Sequence, residues 1–174
     1  MKHKRMKLKI CITIIVVAAF IGCGKTENEY SQLSIFLTDA PAAYDSVLID
    51  VKSVEVHTNN GGWISLPTNQ GIYDLLQLRN NVDTLLVPVQ QIPAGKVSQV
   101  RLILGSGNRI VDGGNSYPLV IPSGEESGLK LNIHRTLQPN TSYILLLDFD
   151  AAQSVHQTGN GQYKLKPVIK ANFR

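Results

Sequence analysis

Apolar residues at every second position are the feature of this sequence that most restricts its fold. Leu, Ile and Val occupy alternate positions of the segments 33–37 and 47–51. Because the side chains of a β-strand point alternately to its two faces, this period predicts strands with one buried face. In the second segment the phase of the alternation changes near Lys52 and Ser53, which predicts a β-bulge there.

Further strands and the turns between them follow the same pattern. Alternation recurs at 100–104, 129–133 and 165–173, whereas 143–149 is apolar at nearly every position, as in a central strand covered on both faces. Turn-forming residues stand between these segments, at 59–62, 93–95, 105–107, 112–115, 122–124, 139–140 and 159–161. The first of these turns, with Trp63 after it, predicts a hairpin.

This spacing of strands and turns predicts an all-β fold, an antiparallel β-sandwich or barrel of about seven to nine strands. Helix is expected only as brief turns near 40–44 and 151–155 and in the N-terminal segment. One domain is the natural count, because about 150 residues can bury roughly 70% of their extended surface in one core.

The N-terminus predicts an export signal for a lipoprotein. Five Lys and Arg residues precede the apolar segment 10–21, and Gly22 and Cys23 follow it, in a pattern that resembles the bacterial lipobox. We therefore expect residues 1–22 to be a cleaved signal peptide, Cys23 to carry the lipid, 23–31 to be a flexible tether and 32–174 to be the domain. The alternative is an ordinary secretory cleavage site beside a stray thiol.

Charge and cysteine content restrict the partners of the mature chain. The formal net charge of +4 includes the five cations of the signal segment, so its removal leaves 12 basic against 13 acidic residues. No basic run with interleaved aromatics remains, which argues against nucleic acid. The other cysteine, Cys11, lies in the removed segment, so no intramolecular disulfide is expected. Gly24 favours the outer membrane, with the domain facing the periplasm or the cell surface.

An ordered series of short motifs resembles the DUF4382 family of exported bacterial and archaeal domains. The motifs are LTDAP at 37–41, SVEVH at 53–57, GW at 62–63, YDLL at 73–76, IPAG at 92–95, QVRL at 99–102, YPL at 117–119, PSG at 122–124, GLKLN at 128–132, LDFD at 147–150 and LKPVI at 165–169. The resemblance covers about residues 31–172 and implies no established function. The segment 92–97 is also similar to transthyretin-like (prealbumin-like) and carboxypeptidase-regulatory-like sandwiches, an analogy of fold alone.

Three carboxylates are the candidate metal ligands. Asp148 and Asp150 lie two residues apart on a predicted strand and share a face, and Asp39 could join them if the strand ends cluster. Ca²⁺ requires several oxygen ligands of this kind. The favoured alternative is that Asp39 and Asp150 cap turns while Asp148 pairs with Lys or Arg.

No catalytic residue or cofactor is predicted. His57, His134 and His156 lack the motifs of a nucleophilic hydrolase or a zinc site, and the first two occupy the polar phase of their strands. Trp63, with Tyr30, Tyr44, Tyr73, Tyr117, Tyr143 and Tyr163, could form a stacking platform for sugars, although a tryptophan at this position more often packs over the edge of its own core.

We expect an envelope-anchored, monomeric module without enzymatic activity that binds an envelope protein or a glycan. Two alternatives remain open at this point. One is a carbohydrate-active hydrolase with paired carboxylates, and the other is a calcium-stabilised structural protein.

Overall fold

The computed structural model describes residues 29–122 and 128–174. The predicted signal segment 1–22, the lipidation site Cys23 and most of the tether lie outside the described residues, as does much of the turn at 122–124. Among the described residues, no helix has the length and the apolar composition needed to cross a membrane.

The described residues form thirteen β-strands and two short helical segments. The strands are β1 (Tyr30–Ala40), β2 (Ser46–Thr58), β3 (Gly62–Leu66), β4 (Gly71–Asp74), β5 (Thr84–Pro93), β6 (Gly95–Leu104), β7 (Arg109–Asp112), β8 (Asn115–Val120), β9 (Leu129–Leu137), β10 (Ser142–Asp150), β11 (Val155–Gln157), β12 (Tyr163–Leu165) and β13 (Ile169–Phe173). A 3₁₀ turn covers Leu75–Gln77 and helix α1 covers Ala151–Ser154. The short helix near 151–155 is confirmed, whereas 40–44 contains bends and no helix.

The strands form two mixed sheets in a sandwich-like arrangement. The smaller sheet has the order β13-β10-β1-β5. The larger has nine strands in the order β11-β12-β8-β7-β2-β6-β9, with β3 and β4 also paired to β2. The all-β prediction is therefore confirmed, while the similarity to transthyretin-like sandwiches stays a prediction.

Two details of the predicted fold are wrong. The sheets are not purely antiparallel, because β1 pairs in parallel with β10 and β12 pairs in parallel with β8. The structure also has thirteen strands where seven to nine were expected. Three strands that the alternation did not reveal, β4, β7 and β11, are only three or four residues long, too short for a period of two to be recognised in the sequence.

Strand β2 organises the larger sheet because its thirteen residues pair with four other strands. Its N-terminal half contacts β4 and β7, and its C-terminal half contacts β3 and β6. The pairing with β6 shifts register between Val51 and Ser53, which confirms the predicted bulge. After the bulge, Val54 and Val56 face the core and are fully buried.

The core lies between the two sheets. Alternating residues of β1 and β2, among them Leu33, Ile35 and Ile49, have almost no exposed surface. In β10, Leu145, Leu147 and Phe149 are fully buried, as expected for a central strand. Its other face is only partly covered, since Leu146 is 6% exposed but Ile144 is 40% exposed. The prediction that this strand is covered on both faces is thus wrong at its N-terminal end.

Candidate functional site

The outer face of the larger sheet carries a regular array of eight side chains around Trp63. Cross-strand register places Trp63, His57, Gln99 and Asn132 in one row, one residue on each of β3, β2, β6 and β9. The adjacent row contains Ser65, Glu55, Arg101 and Lys130 on the same four strands. These eight residues are called the Trp63 face below. They alternate with the buried valines and leucines of the core, so they point outward.

Contacts within the Trp63 face hold its larger side chains in place. The Arg101 guanidinium carbon lies 4.0 Å from the centroid of the Trp63 ring, a cation–π contact. Arg101 Nη1 is 3.2 Å from Glu55 Oε2. The His57 ring meets the indole edge-on, with centroids 5.1 Å apart. The indole nevertheless remains 39% exposed, so part of its surface is available to a ligand.

The hairpin before Trp63 is fixed to the rest of the sandwich. Asn59 Oδ1 accepts a hydrogen bond of 2.8 Å from the backbone N–H of Lys96, and Asn60 Nδ2 donates one of 2.7 Å to the carbonyl of Ala94. Gly62 has φ of 63°, the left-handed conformation that favours glycine. The predicted hairpin is therefore confirmed, and its loop is tied to the β5–β6 turn.

The position of Trp63 differs from the favoured expectation that it packs over the edge of the core. It does not belong to the buried core and packs instead on the surface side chains of Arg101 and His57. His57 and His134 lie as expected on the outward face of their strands, with His134 exposed and His57 half-buried, and His156, for which no face was predicted, is also exposed. His57 Nδ1 is 2.8 Å from Ser98 Oγ.

The three predicted carboxylates come together at the adjacent ends of β1 and β10, but not on one face. In the parallel register, Asp148 lies beside Thr38 and Asp150 lies beside Ala40, so both aspartates share a face as predicted. Asp39 lies beside the buried Phe149 and, by the alternation of the strand, points to the opposite face. The ends of β1 and β10 thus lie close together as the sequence predicts, but the carboxylate of Asp39 does not share the face of the other two.

Two of these aspartates bind backbone N–H groups at the β10–α1 junction. Asp39 Oδ1 accepts the N–H of Ala151 at 2.9 Å, and Asp150 Oδ1 accepts the N–H of Gln153 at 3.0 Å as the N-cap of α1. The turn-capping alternative is therefore confirmed for Asp150, whereas Asp39 binds the N–H of a residue on a distant segment and does not cap its own turn. Asp148 lies opposite Lys170 in the register, but no ion pair within 4 Å joins it to a cation of the described residues.

A polar cleft lies on the outer face of the smaller sheet near the same carboxylates. It has a volume of about 440 Å³ and includes Asp39, Asp83, Asp148, Asn80 and Arg174 in its lining. Across residues 29–122 and 128–174, the structure contains no group of three or more His, Cys, Asp or Glu side chains arranged to hold a metal ion. The geometry therefore gives no support to a calcium site built from Asp39, Asp148 and Asp150.

Burial gives Asp39 an unusual protonation equilibrium. The residue is only 5% exposed, and the loss of hydration raises the pKa of its carboxyl from 3.8 to about 7. The backbone N–H groups of Ala151 and Ala40 lower this pKa, and the nearby carboxylates of Asp150 and Asp148 raise it to a smaller extent. Part of the Asp39 population is consequently protonated at neutral pH.

This shift predicts a pH-dependent loss of stability. The folded state binds the proton of Asp39 more tightly than the unfolded state does. The stabilisation that comes from this proton is therefore complete below about pH 4 and is lost as pH rises through about 7. Allowing for screening by nearby water, we expect the loss to be about 1–2 kcal/mol. Asp39→Asn keeps the acceptor for Ala151 and should remove this decline. Urea unfolding at pH 5 and pH 8 measures this decline. The control, Asp148→Asn, removes only a minor contributor to the pKa shift of Asp39 and should retain most of the wild-type decline. An unchanged decline in Asp39→Asn would contradict the assignment.

Comparison with known proteins gives a family and no further relative. The chain matches the family described as "Domain of unknown function (DUF4382)" over residues 30–167. No curated protein and no solved structure matches it. The matched range includes every residue of the Trp63 face and all three carboxylates.

Proposed function

Because the chain belongs to the DUF4382 family, whose description names no activity, we propose from its geometry that it is an envelope-anchored lipoprotein with a non-enzymatic binding domain. The ligand contacts the Trp63 face. The observation that carries this proposal is the exposed indole of Trp63, held by Arg101 and His57 at the edge of a planar array of polar side chains. Binding surfaces typically combine a rigid aromatic anchor with surrounding polar groups that give specificity.

The rigidity of this surface favours binding. A ligand that meets side chains already held in place loses less conformational entropy in the complex. The hairpin carrying Trp63 is anchored through Asn59 and Asn60, and Gln99 Nε2 donates a 2.9 Å hydrogen bond to Asn132 Oδ1 at the other end of the row. The array is thus organised across four strands before a ligand arrives.

The proposed anchor places this surface close to the envelope. The backbone N–H of Ala94 donates to the carbonyl of Glu29 at 2.8 Å, and the carbonyl of Ala94 accepts from Asn60. Two hydrogen bonds through the backbone of Ala94 therefore connect Glu29 to Asn60 in the hairpin before Trp63. From Cys23 to Glu29 the backbone can span at most about 20 Å, given about 3.5 Å per residue. A lipid on Cys23 would hold this end of the domain near the outer membrane, where we place the protein.

Retention of envelope fragments tests the proposal. The full chain is immobilised on a biosensor and exposed to envelope fragments of the producing bacterium. We expect Trp63→Ala to reduce retention at least tenfold, because the aromatic anchor is lost. The matched control is Tyr30→Ala, which removes an aromatic side chain of similar exposure, 41%, from the smaller sheet and should retain wild-type binding. Equal retention by wild type and Trp63→Ala would contradict the proposal.

A polysaccharide hydrolase with paired carboxylates is the second candidate, and one observation favours it. Asp39, with its pKa raised to about 7, and Asp148 both contribute to the lining of one cleft, and such enzymes typically combine a partly protonated acid with a second carboxylate, although here the two side chains point to opposite faces of the sheet. Against it, Asp39 is almost completely buried and binds Ala151. Release of reducing ends from polysaccharide, lost in Asp148→Asn, would favour the hydrolase over the binding module.

A further inference from the structure

We propose that the ligand of the Trp63 face is an anionic polysaccharide, with one sugar ring stacked on Trp63 and its acidic groups directed to Arg101 and Lys130. This inference rests on the proposed function, since it names the ligand class of the same surface. Three features of the face carry it: the spacing of its rows, the environment of the indole and the sign of its charge.

The spacing of the rows suits a chain of sugar units. Trp63, His57, Gln99 and Asn132 project from four neighbouring strands. Adjacent strands lie about 4.8 Å apart, which is comparable to the length of one pyranose unit. A polysaccharide lying across the strands would therefore meet one planar or amide side chain for each sugar, with hydrogen-bond donors and acceptors for its hydroxyl groups.

The indole of Trp63 provides an apolar surface at the end of this row. Arg101 contacts the ring at 4.0 Å and His57 contacts it edge-on, but 39% of the residue remains exposed. The C–H groups on one side of a pyranose ring can pack on such a surface while the hydroxyl groups contact polar neighbours. An extended apolar partner would find the indole as the one large apolar side chain of the face, because its other seven residues are polar or charged.

The charge of the face favours an acidic ligand. Its ionised side chains are Glu55, Arg101 and Lys130, which give a formal charge of +1 with His57 neutral. Glu55 is paired with Arg101, and Lys130 is exposed beside them in the same row. Lys96, whose backbone binds the Asn59 side chain, adds an exposed cation at the hairpin. Carboxylate or sulfate groups of a polysaccharide complement this pattern.

The chain contains its own reporter for this interaction, because Trp63 is its single tryptophan. The full chain in detergent micelles is titrated with alginate, a polyuronate, and with dextran, a neutral polysaccharide, while tryptophan fluorescence is recorded. We expect a saturable change with alginate, a much smaller change with dextran, and weaker alginate binding at high salt. Lys130→Gln should weaken alginate binding about threefold or more, as expected for an exposed charge pair.

Affinity electrophoresis in alginate gels extends the test to variants without tryptophan. We expect Trp63→Ala to lose at least tenfold in affinity for alginate, whereas Tyr30→Ala migrates as wild type. Alginate binding that is absent, equal to dextran binding, or unchanged in Trp63→Ala would overturn the inference. So would a Trp63 fluorescence change with phosphatidylglycerol–phosphatidylcholine vesicles and none with alginate, because the ligand would then be a lipid surface.

The failure of this inference can be distinguished from the failure of the proposed function. If alginate does not bind but envelope fragments are still retained through Trp63, the ligand class is wrong and the binding module stands. If neither interaction depends on Trp63, both proposals fail.

Discussion

Replacing Cys23 by serine should abolish membrane retention of the mature protein. The expected lipoprotein carries a diacylglycerol on this sulfur, and each buried methylene contributes about 0.8 kcal/mol to anchoring, so two chains hold the protein stably where one would not. Serine lacks the acceptor sulfur, while the basic and apolar parts of the signal remain. Palmitate labelling followed by detergent phase separation should show labelled wild type in the detergent phase and an unlabelled variant that has lost the mature lipoprotein form.

The chain offers a matched control for this experiment. Cys11→Ser removes the other thiol, which lies within the segment expected to be cleaved, and should leave labelling and phase partition as in wild type. Wild-type protein that takes up no palmitate and stays in the aqueous phase would contradict the lipoprotein assignment.

Replacing Asn108 by alanine should lower the free energy of unfolding by about 2–4 kcal/mol, because one buried and one half-buried backbone group lose their partner at about 1–3 kcal/mol each. Asn108 is 5% exposed; its Oδ1 accepts the N–H of Asp50 at 2.9 Å and its Nδ2 donates to the carbonyl of Gly105. The side chain thereby joins the loop after β6 to β2. Urea unfolding followed by circular dichroism measures the change.

Asn115→Ala is the matched control. Asn115 is exposed, and its Nδ2 donates a longer bond of 3.2 Å to the carbonyl of Gly113, so its loss should cost no more than about 0.5 kcal/mol. Equal destabilisation by the two alanine variants would show that the burial of Asn108 does not matter.

Local patterns predict strands well in this chain because alternation depends only on neighbouring residues. The bulge between Val51 and Ser53 was predicted from a change of phase, and the hairpin before Trp63 from its turn residues. The parallel pairing of β1 with β10 was not predictable in this way. Leu33 lies beside Tyr143, more than a hundred residues along the chain, and no local period records such a partner.

The same distinction applies to the candidate site. Trp63 could be recognised as a possible stacking residue, but Arg101 and Glu55 reach it only through the pairing of β2 with β3 and β6. Asp39 continues the alternation of Leu33, Ile35 and Leu37, so the sequence indicates the buried face for it, and its position beside Phe149 agrees with this. Candidate residues are thus visible in sequence, whereas their neighbours require the sheet.

Asp50 shows how a polar residue becomes buried without a signal in the alternation. It lies at a polar position of β2, yet it is 6% exposed because the loop after β6 folds over it. A Cβ at Gly105 would collide with Asp50 Oδ2 and with Lys52, so glycine permits this close approach. The Gly-Ser-Gly sequence at 105–107 predicts a turn, but nothing in it indicates the tight packing of this loop on β2.

The central claim, that the domain binds its ligand through the Trp63 face in the envelope, is tested most directly by photocrosslinking in living cells. A photoreactive benzoylphenylalanine replaces Ser65, an exposed residue of that face, or Val89, which is 61% exposed on the smaller sheet. We predict that irradiation produces a higher-mass adduct from position 65 and none from position 89. No adduct at position 65, or the same adduct from both positions, would contradict the account.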